Sequence, residues 1–268
     1  MKKRTLSSIF LWGTLLGSVY YFQKSAIVTW IVLISLFSQI ELSKMLQAAG
    51  LNTWSAFDTW MAVVFPVTLW FIPLTAQALG SAYLTFLMII CLSAIVKTKN
   101  AVSLISSLFS FWYIPFNLHF LILFARTVHT NFSTSTLFWI VAVTKMTDIG
   151  GLVIGSTMGK HHLALNISPQ KTWEGVVGGI LLACIAGLLI PYCFPNFTSL
   201  SCFQKITFSC ILAMGAVVSD LIESLLKRQS QQKDSGGLIP GIGGVLDLVD
   251  SLLLNAPIGY FLIKYCSI

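Results

Sequence analysis

The 268 residues are 56% hydrophobic and 9% charged, with 16 Lys and Arg against 9 Asp and Glu for a formal net charge of +7. Such a composition excludes an ordinary soluble domain, because its apolar runs are long enough to cross a hydrocarbon layer about 30 Å thick, at roughly 20 helical residues per crossing. The basic excess is the one that cytoplasmic segments of membrane proteins carry, so it speaks for orientation and gives no nucleic-acid signal.

In chain order, the runs predict an all-α, polytopic membrane protein of about nine spans, over 6–23, 25–42, 57–75, 79–96, 102–124, 135–157, 175–194, 206–225 and 245–264. The basic start MKKR precedes a first span with no convincing small-residue cleavage site, so it reads as retained and not as a signal peptide. Pro66 and Pro73 kink or bound the third span. Cys91, Cys184, Cys193, Cys202, Cys210 and Cys266 lie in or beside apolar runs without a CxxC pair and read as small hydrophobes. Trp12, Trp30 and Trp173, near span ends, read as interface anchors.

With the N-terminus in the cytoplasm, eleven basic residues fall on the cytoplasmic side, four (Lys24, Arg126, Lys205, Lys264) fall opposite, and Lys145 lies within a span. This bias predicts a cytoplasmic N-terminus, with the polar loops 158–174 and 226–244 on the same side. No long polar linker divides the chain. It reads as one membrane domain, with 1–134 as an N-terminal scaffold and 135–268 as the half that carries the chemistry.

The acids are unevenly placed: Asp148, Glu174, Asp220, Glu223, Asp234, Asp247 and Asp250 all lie in the second half, leaving Glu41 and Asp58 in the first. Ionisable groups within spans cost several kcal/mol unless they face protein or water, so their clustering marks a candidate site. Asp220, Glu223, Ser224 and Lys227 stand at i, i+3, i+4 and i+7, one stripe of a helix. Asp247, Asp250 and Ser251 repeat the pattern after a reversal, which allows the two carboxylate stripes to face each other. Facing carboxylates at an aqueous boundary suit a hard divalent cation, magnesium above all. Lys227, Arg228 and Lys233 lie close enough to neutralise phosphates, and Gly236, Gly237, Gly241, Gly243 and Gly244 let backbone N–H groups approach an anion. The reaction class this suits is phosphoryl or nucleotidyl transfer. The plain alternative is a positive-inside loop followed by carboxylates that complement a helix dipole.

The stretch ISPQKTWEG (167–175) sets Ser168, Lys171 and Thr172 before a new helix, where Thr172 and free N–H groups either cap the helix or bind phosphate. Gly151, Gly155 and Gly159 share a face suited to close helix packing. Asp148 either pairs with Lys145, three residues earlier, or belongs to the site. His161 and His162 lack metal-ligand spacing and read as an interfacial basic pair. Neither GxGxxG nor GxxxxGK[ST] occurs, so a bound nucleotide is not held in a Rossmann or Walker-A manner.

The stretch SLLKRQSQQKDSGGLIPGIGGVLDLVD (224–250) resembles the C-terminal signature of the phosphatidate cytidylyltransferases, matching at Ser224, Lys227, Arg228, Lys233, Asp234, Pro240, Gly241, Gly243, Gly244, Asp247 and Asp250. GKHHLALNISPQKTWEG (159–175) is similar to a second stretch of that family, and the resemblance is specific over about 145–255. It implies a magnesium-dependent reaction of CTP with phosphatidate that yields CDP-diacylglycerol and pyrophosphate. It also implies a homodimer in the cytoplasmic (inner) membrane, with lipid entering from the bilayer and CTP from the cytoplasm. On this resemblance Asp220, Asp247 and Asp250 are the expected metal ligands. Lys171, Lys227, Arg228 and Lys233 are expected to hold the triphosphate and lipid phosphate, with Ser224, Asp234, Ser168, Thr172, Gly243 and Gly244 completing the substrate contacts. Two positions depart from the pattern: Ile242 stands where the family has His, and Leu248 where it has Arg. The alternatives are a CTP-dependent polyprenol or dolichol kinase and a non-catalytic, transporter-like homologue.

Overall fold

The computed structural model describes residues 2–51, 53–97, 100–126, 134–193, 197, 200–241 and 243–266. Ile242 and Lys99 lie outside the described residues, as do the side chains of Lys2, Lys3, Arg4, Trp12, Lys97 and Cys266.

The helices are α1 (Lys2–Ala48), α2 (Ser55–Phe71), α3 (Ala76–Lys97), α4 (Ala101–Phe111), α5 (Asn117–Arg126), α6 (Thr134–Met158), α7 (Trp173–Leu189), α8 (Cys202–Gln229) and α9 (Leu246–Cys266). A π turn, Trp112–Phe116, joins α4 to α5, and a two-stranded hairpin, β1 (His162–Ala164) and β2 (Ser168–Thr172), precedes α7. The chain is an all-α membrane protein, with this small hairpin added among the described residues. Among the described residues six helical segments are long and apolar enough to cross a membrane, and Ser55–Phe71 and Gln77–Ser93 are shorter apolar helices.

The expected first two spans are one continuous helix of 47 residues, about 70 Å long at 1.5 Å per residue. The anticipated reversal near residue 24 is absent because neither Lys24 nor Ser25 breaks a helix, and neither Gly nor Pro occurs between Gly17 and Gly50. Among the described residues six segments, where about nine were expected, qualify as candidate spans. Pro73 bounds α2, whose C-cap residue Ile72 is extended, whereas Pro66 is buried inside the helix. At Pro115, which has no N–H to donate, the helix loosens into the π turn. Asn117 Nδ2 there donates to the carbonyls of Trp112 (2.8 Å) and Tyr113 (3.1 Å).

The helices pack as two compact units, Met1–Ile122 with Leu226–Leu248 and Leu123–Leu225 with Val249–Ile268. The core of the first unit centres on Phe65, whose ring meets Phe86 and Phe111 edge-on, each at 4.9 Å between centroids. Tyr83 Oη and His119 Nε2 share a hydrogen bond of 2.7 Å beside that cluster. Buried serines line α1 and α4, which Gln39 and Ser110 join by a hydrogen bond, and Ser107 of α4 donates to Asp58 of α2 at 3.3 Å.

In the second unit α6 and α7 pack through facing glycines. Gly155 lies against Thr172 and Gly175, and Gly151 against Gly175, so the glycine face read from the sequence is a packing face. The tightest approach to the α7 backbone is at Gly150, where a Cβ would stand 2.7 Å from the Gly178 carbonyl oxygen and 2.9 Å from Gly179 Cα. Gly150→Ala must push two backbones apart and is expected to destabilise the protein by about 1–3 kcal/mol. Gly80→Ala, where nothing lies within 4 Å, is expected to be neutral or mildly stabilising through helix propensity. Thermal unfolding of both variants in detergent at one scan rate checks this contrast, and equal midpoints would refute it.

Candidate functional site

In the second unit, Asp220 and Glu223 of α8 and Asp250 of α9 offer carboxylate oxygens that all lie within 4.8 Å of one another. Among the described residues this is the one grouping of three or more His, Cys, Asp and Glu side chains that close. The i, i+3 spacing turns Asp220 and Glu223 to one side of α8, and Glu223 is fully buried. Lys171 Nζ lies 2.6 Å from Asp220 Oδ2, and Ser224 Oγ donates to Asp220 Oδ1 at 3.4 Å. Ser219 donates to the Asp250 carbonyl, and Ser251 N donates to Asp250 Oδ1 at 2.6 Å. The Ser219 contact ties α8 to α9 within the unit. Asp148 pairs with Lys145 at 3.1 Å, the first of the two readings given for it, and Ser251 Oγ donates to it at 2.8 Å while accepting from Lys145 at 3.0 Å.

Lys171 owes its position to the hairpin. β1 and β2 pair antiparallel, with His162 opposite Thr172 and Ala164 opposite Ser168. Thr172 ends the hairpin and caps α7, its Oγ1 accepting from Gly175 N at 3.1 Å. Ser168 sits half-buried at the opposite end of β2. Glu174 closes the hairpin's base by accepting from the Lys160 and His161 amides and lying 2.6 Å from His161 Nδ1. His161 and His162 are outside the carboxylate cluster.

In the first unit the glycine-rich reversal folds around two carboxylates. Asp247, in the first turn of α9, has Oδ1 2.6 Å from Lys227 Nζ, and accepts from Ser235 N (3.0 Å) and Gly244 N (2.6 Å) at Oδ2. Both partners of the ion pair are largely buried, at 14% and 10% side-chain exposure. Asp247 is therefore not a member of the three-carboxylate cluster, where Glu223 stands instead. The second carboxylate, Glu41 of α1, accepts from Ser235 Oγ, Val245 N and Leu246 N. Gly241 and Gly243 adopt φ of +82° and +120°, conformations that disfavour side chains. Gly244 is buried against Ser235 and Glu41, so its lack of a side chain has an internal cause. Arg228, Lys233 and Asp234 are exposed, and Leu248 is half-buried.

The sequence reading named Asp220 and Asp250 of this cluster as metal ligands but not Glu223, and it gave Glu41 no role. The available signal for both was a carboxylate inside an apolar run, which must find donors or a cation. Which donors it finds is a tertiary fact.

A family model described as "Cytidylyltransferase family" matches residues 2–266. An uncharacterized protein of Escherichia coli strain K12, YnbB, is 35% identical over 128 residues, 48% of this chain and 42% of that protein. A phosphatidate cytidylyltransferase of Rickettsia bellii is 43% identical over 119 residues, 43% of this chain and 52% of the relative. That of Bacillus subtilis is 36% identical over 145 residues, 51% of this chain and 50% of the relative. The chain spans about half the length of the curated relatives it matches.

Proposed function

This chain belongs to the cytidylyltransferase family, and from that premise we propose that it transfers the cytidylyl group of CTP to phosphatidate, releasing pyrophosphate and forming CDP-diacylglycerol for phospholipid synthesis. The observation that carries this reading is the cluster of Asp220, Glu223 and Asp250 with Lys171 2.6 Å from Asp220. Relatives printed as phosphatidate cytidylyltransferases support the choice of substrates.

The cluster fits magnesium. Its donors are all oxygens, and three carboxylates within 4.8 Å repel one another in apolar surroundings unless cations compensate them. Asp220, Glu223 and Asp250 would hold the ion, which when bound neutralises phosphate charge and makes the α-phosphorus more electrophilic. We give Asp247 a separate role, that of holding Lys227.

In the reaction a phosphate oxygen of phosphatidate attacks the α-phosphorus of CTP. The bond from that phosphorus to the bridging oxygen of the β-phosphate breaks, and pyrophosphate leaves with the electron pair. Such a step needs positioning and charge compensation and no covalent intermediate with the protein. Lys171, held on β2 and paired with Asp220, offers an ammonium group to phosphate oxygens next to the cluster. Lys227, Arg228 and Lys233, at the end of α8 and in the reversal after it, offer further positive charge to phosphates, and Ser224 a hydroxyl. We further propose that this end of α8 faces the cytoplasm, where CTP is found, in the cytoplasmic membrane, and that the chain works as a homodimer. Light scattering of the detergent-solubilised protein tests the dimer.

The activity test uses full-length protein in detergent with phosphatidate, magnesium and CTP labelled at the α-phosphate. The label is expected in the lipid phase, with one pyrophosphate released per lipid labelled. A label that stays in the aqueous phase sinks the proposal. Transfer of a γ-phosphate label to a polyprenol, with CDP released, would establish a lipid kinase instead.

A further inference from the structure

Glu41 lies in a part of the chain read as scaffold, yet its carboxylate ends inside the reversal between α8 and α9. It is 3% exposed. Oε2 accepts from Leu246 N at 2.8 Å and Ser235 Oγ at 3.1 Å, and Oε1 accepts from Val245 N at 3.0 Å. Those two amides open α9, where N–H groups find no carbonyl within the helix and the helix dipole favours an anion. Glu41 thus caps α9 from another helix.

The contacts continue from there to the ion pair. Ser235 N donates to Asp247 Oδ2 at 3.0 Å, and Asp247 N donates to Ser235 Oγ at 3.3 Å, a reciprocal clamp. Asp247 in turn holds Lys227 at 2.6 Å. The glycines of the reversal are shaped to admit Glu41. A Cβ on Gly236 would overlap Oε1 and stand 2.8 Å from Cδ and 3.1 Å from Cγ, all three being Glu41 atoms. One on Gly244 would overlap Oε2 and Ser235 Oγ. Moving the carboxylate aside would take it off the Val245 and Leu246 amides.

We propose that Glu41 is a positioning residue for the transfer reaction: it clamps residues 235–246 and, through Ser235 and Asp247, fixes the Lys227 ammonium. The inference rests on the function proposed above for what Lys227 is held to do. A glutamine at 41 keeps the volume but turns an NH2 group toward donors that need an acceptor.

The test compares wild type, Glu41→Gln, Gly236→Ala, Glu41→Ala and the Glu41→Ala/Gly236→Ala double variant as full chains in detergent. Amide hydrogen exchange over 235–247 is expected to quicken about tenfold in Glu41→Gln, with α2 peptides unchanged. Turnover is expected to fall by up to about 100-fold, the scale for misplaced reacting groups, with little change in the KM for CTP. Gly236→Ala should reproduce both effects in the wild-type background and add nothing to Glu41→Ala, a coupling that general loss of stability does not produce. Unchanged exchange over 235–247, faster exchange with undiminished turnover, or full additivity of the two alanine substitutions would each overturn the proposal. A wild type that makes no CDP-lipid would overturn the functional reading and not the clamp, which exchange and the double variant then decide.

Discussion

Glu223→Gln is expected to slow cytidylyl transfer by about 10²–10³-fold, the scale for removing one preorganised electrostatic group from a reaction centre. Glu223 is fully buried, and its carboxylate lies within 4.8 Å of those of Asp220 and Asp250. The amide keeps the size of the side chain and removes one of three anionic donors. Charge is thus what the substitution tests. Initial rates should be taken across a range of magnesium concentrations, because weakening the donor set should also raise the concentration needed for half-maximal rate. A purely structural Glu223 would lower the amount of folded protein and leave the magnesium requirement where it was. Full rate at the wild-type magnesium requirement would remove Glu223 from the proposed metal set.

Lys227→Met is expected to destabilise the protein by about 3–5 kcal/mol, since it leaves the Asp247 carboxylate largely buried without its cation. Ser235 N and Gly244 N still donate to Asp247, which sets the loss toward the lower end. At roughly 2–4 °C per kcal/mol, the unfolding midpoint should drop by on the order of 10 °C. The double variant Lys227→Met/Asp247→Asn should recover much of that loss, because it removes the stranded charge with its partner. Membrane proteins often unfold irreversibly, so midpoints are compared at a single scan rate. Equal losses in the single and double variants would show that the ion pair is not what stability rests on. Both variants should be inactive if Lys227 also meets phosphate.

Much of the site was legible because it is local. Asp220, Glu223, Ser224 and Lys227 fall on one stripe of α8 by helical arithmetic alone. The start of α9 follows from Gly243 and Gly244 ahead of an apolar run that opens on Asp247. What periodicity does not decide is which of two carboxylates near the start of a helix, Asp247 or Asp250, meets a lysine and which meets other carboxylates. That depends on how 230–245 folds, and its amides at Ser235 and Gly244 choose Asp247. Glu41 was illegible for the same reason on a larger scale, since its partners lie in a distant segment of the chain. The continuity of α1 was hidden by the opposite effect. A lysine and a serine in an apolar run look like a boundary by composition, but neither interrupts helical hydrogen bonding. The hairpin at 162–172 was too short for alternation to show, and its turn rests on one bond, Ile167 N to Ala164 O at 3.1 Å.

The fit of Glu41 between Gly236 and Gly244 has an evolutionary consequence. A Cβ at 236 displaces the Glu41 carboxylate from its amides, so on the clamp proposed above the glycine is expected to be lost only after the acid has been shortened or replaced. The order of those two events is thereby set, and their reversal passes through a damaged intermediate. A pattern drawn over 224–250 alone records one half of this dependency. The other half lies in a helix that such a pattern never reads, and a lineage with Ala at 236 should carry the trace of it at 41.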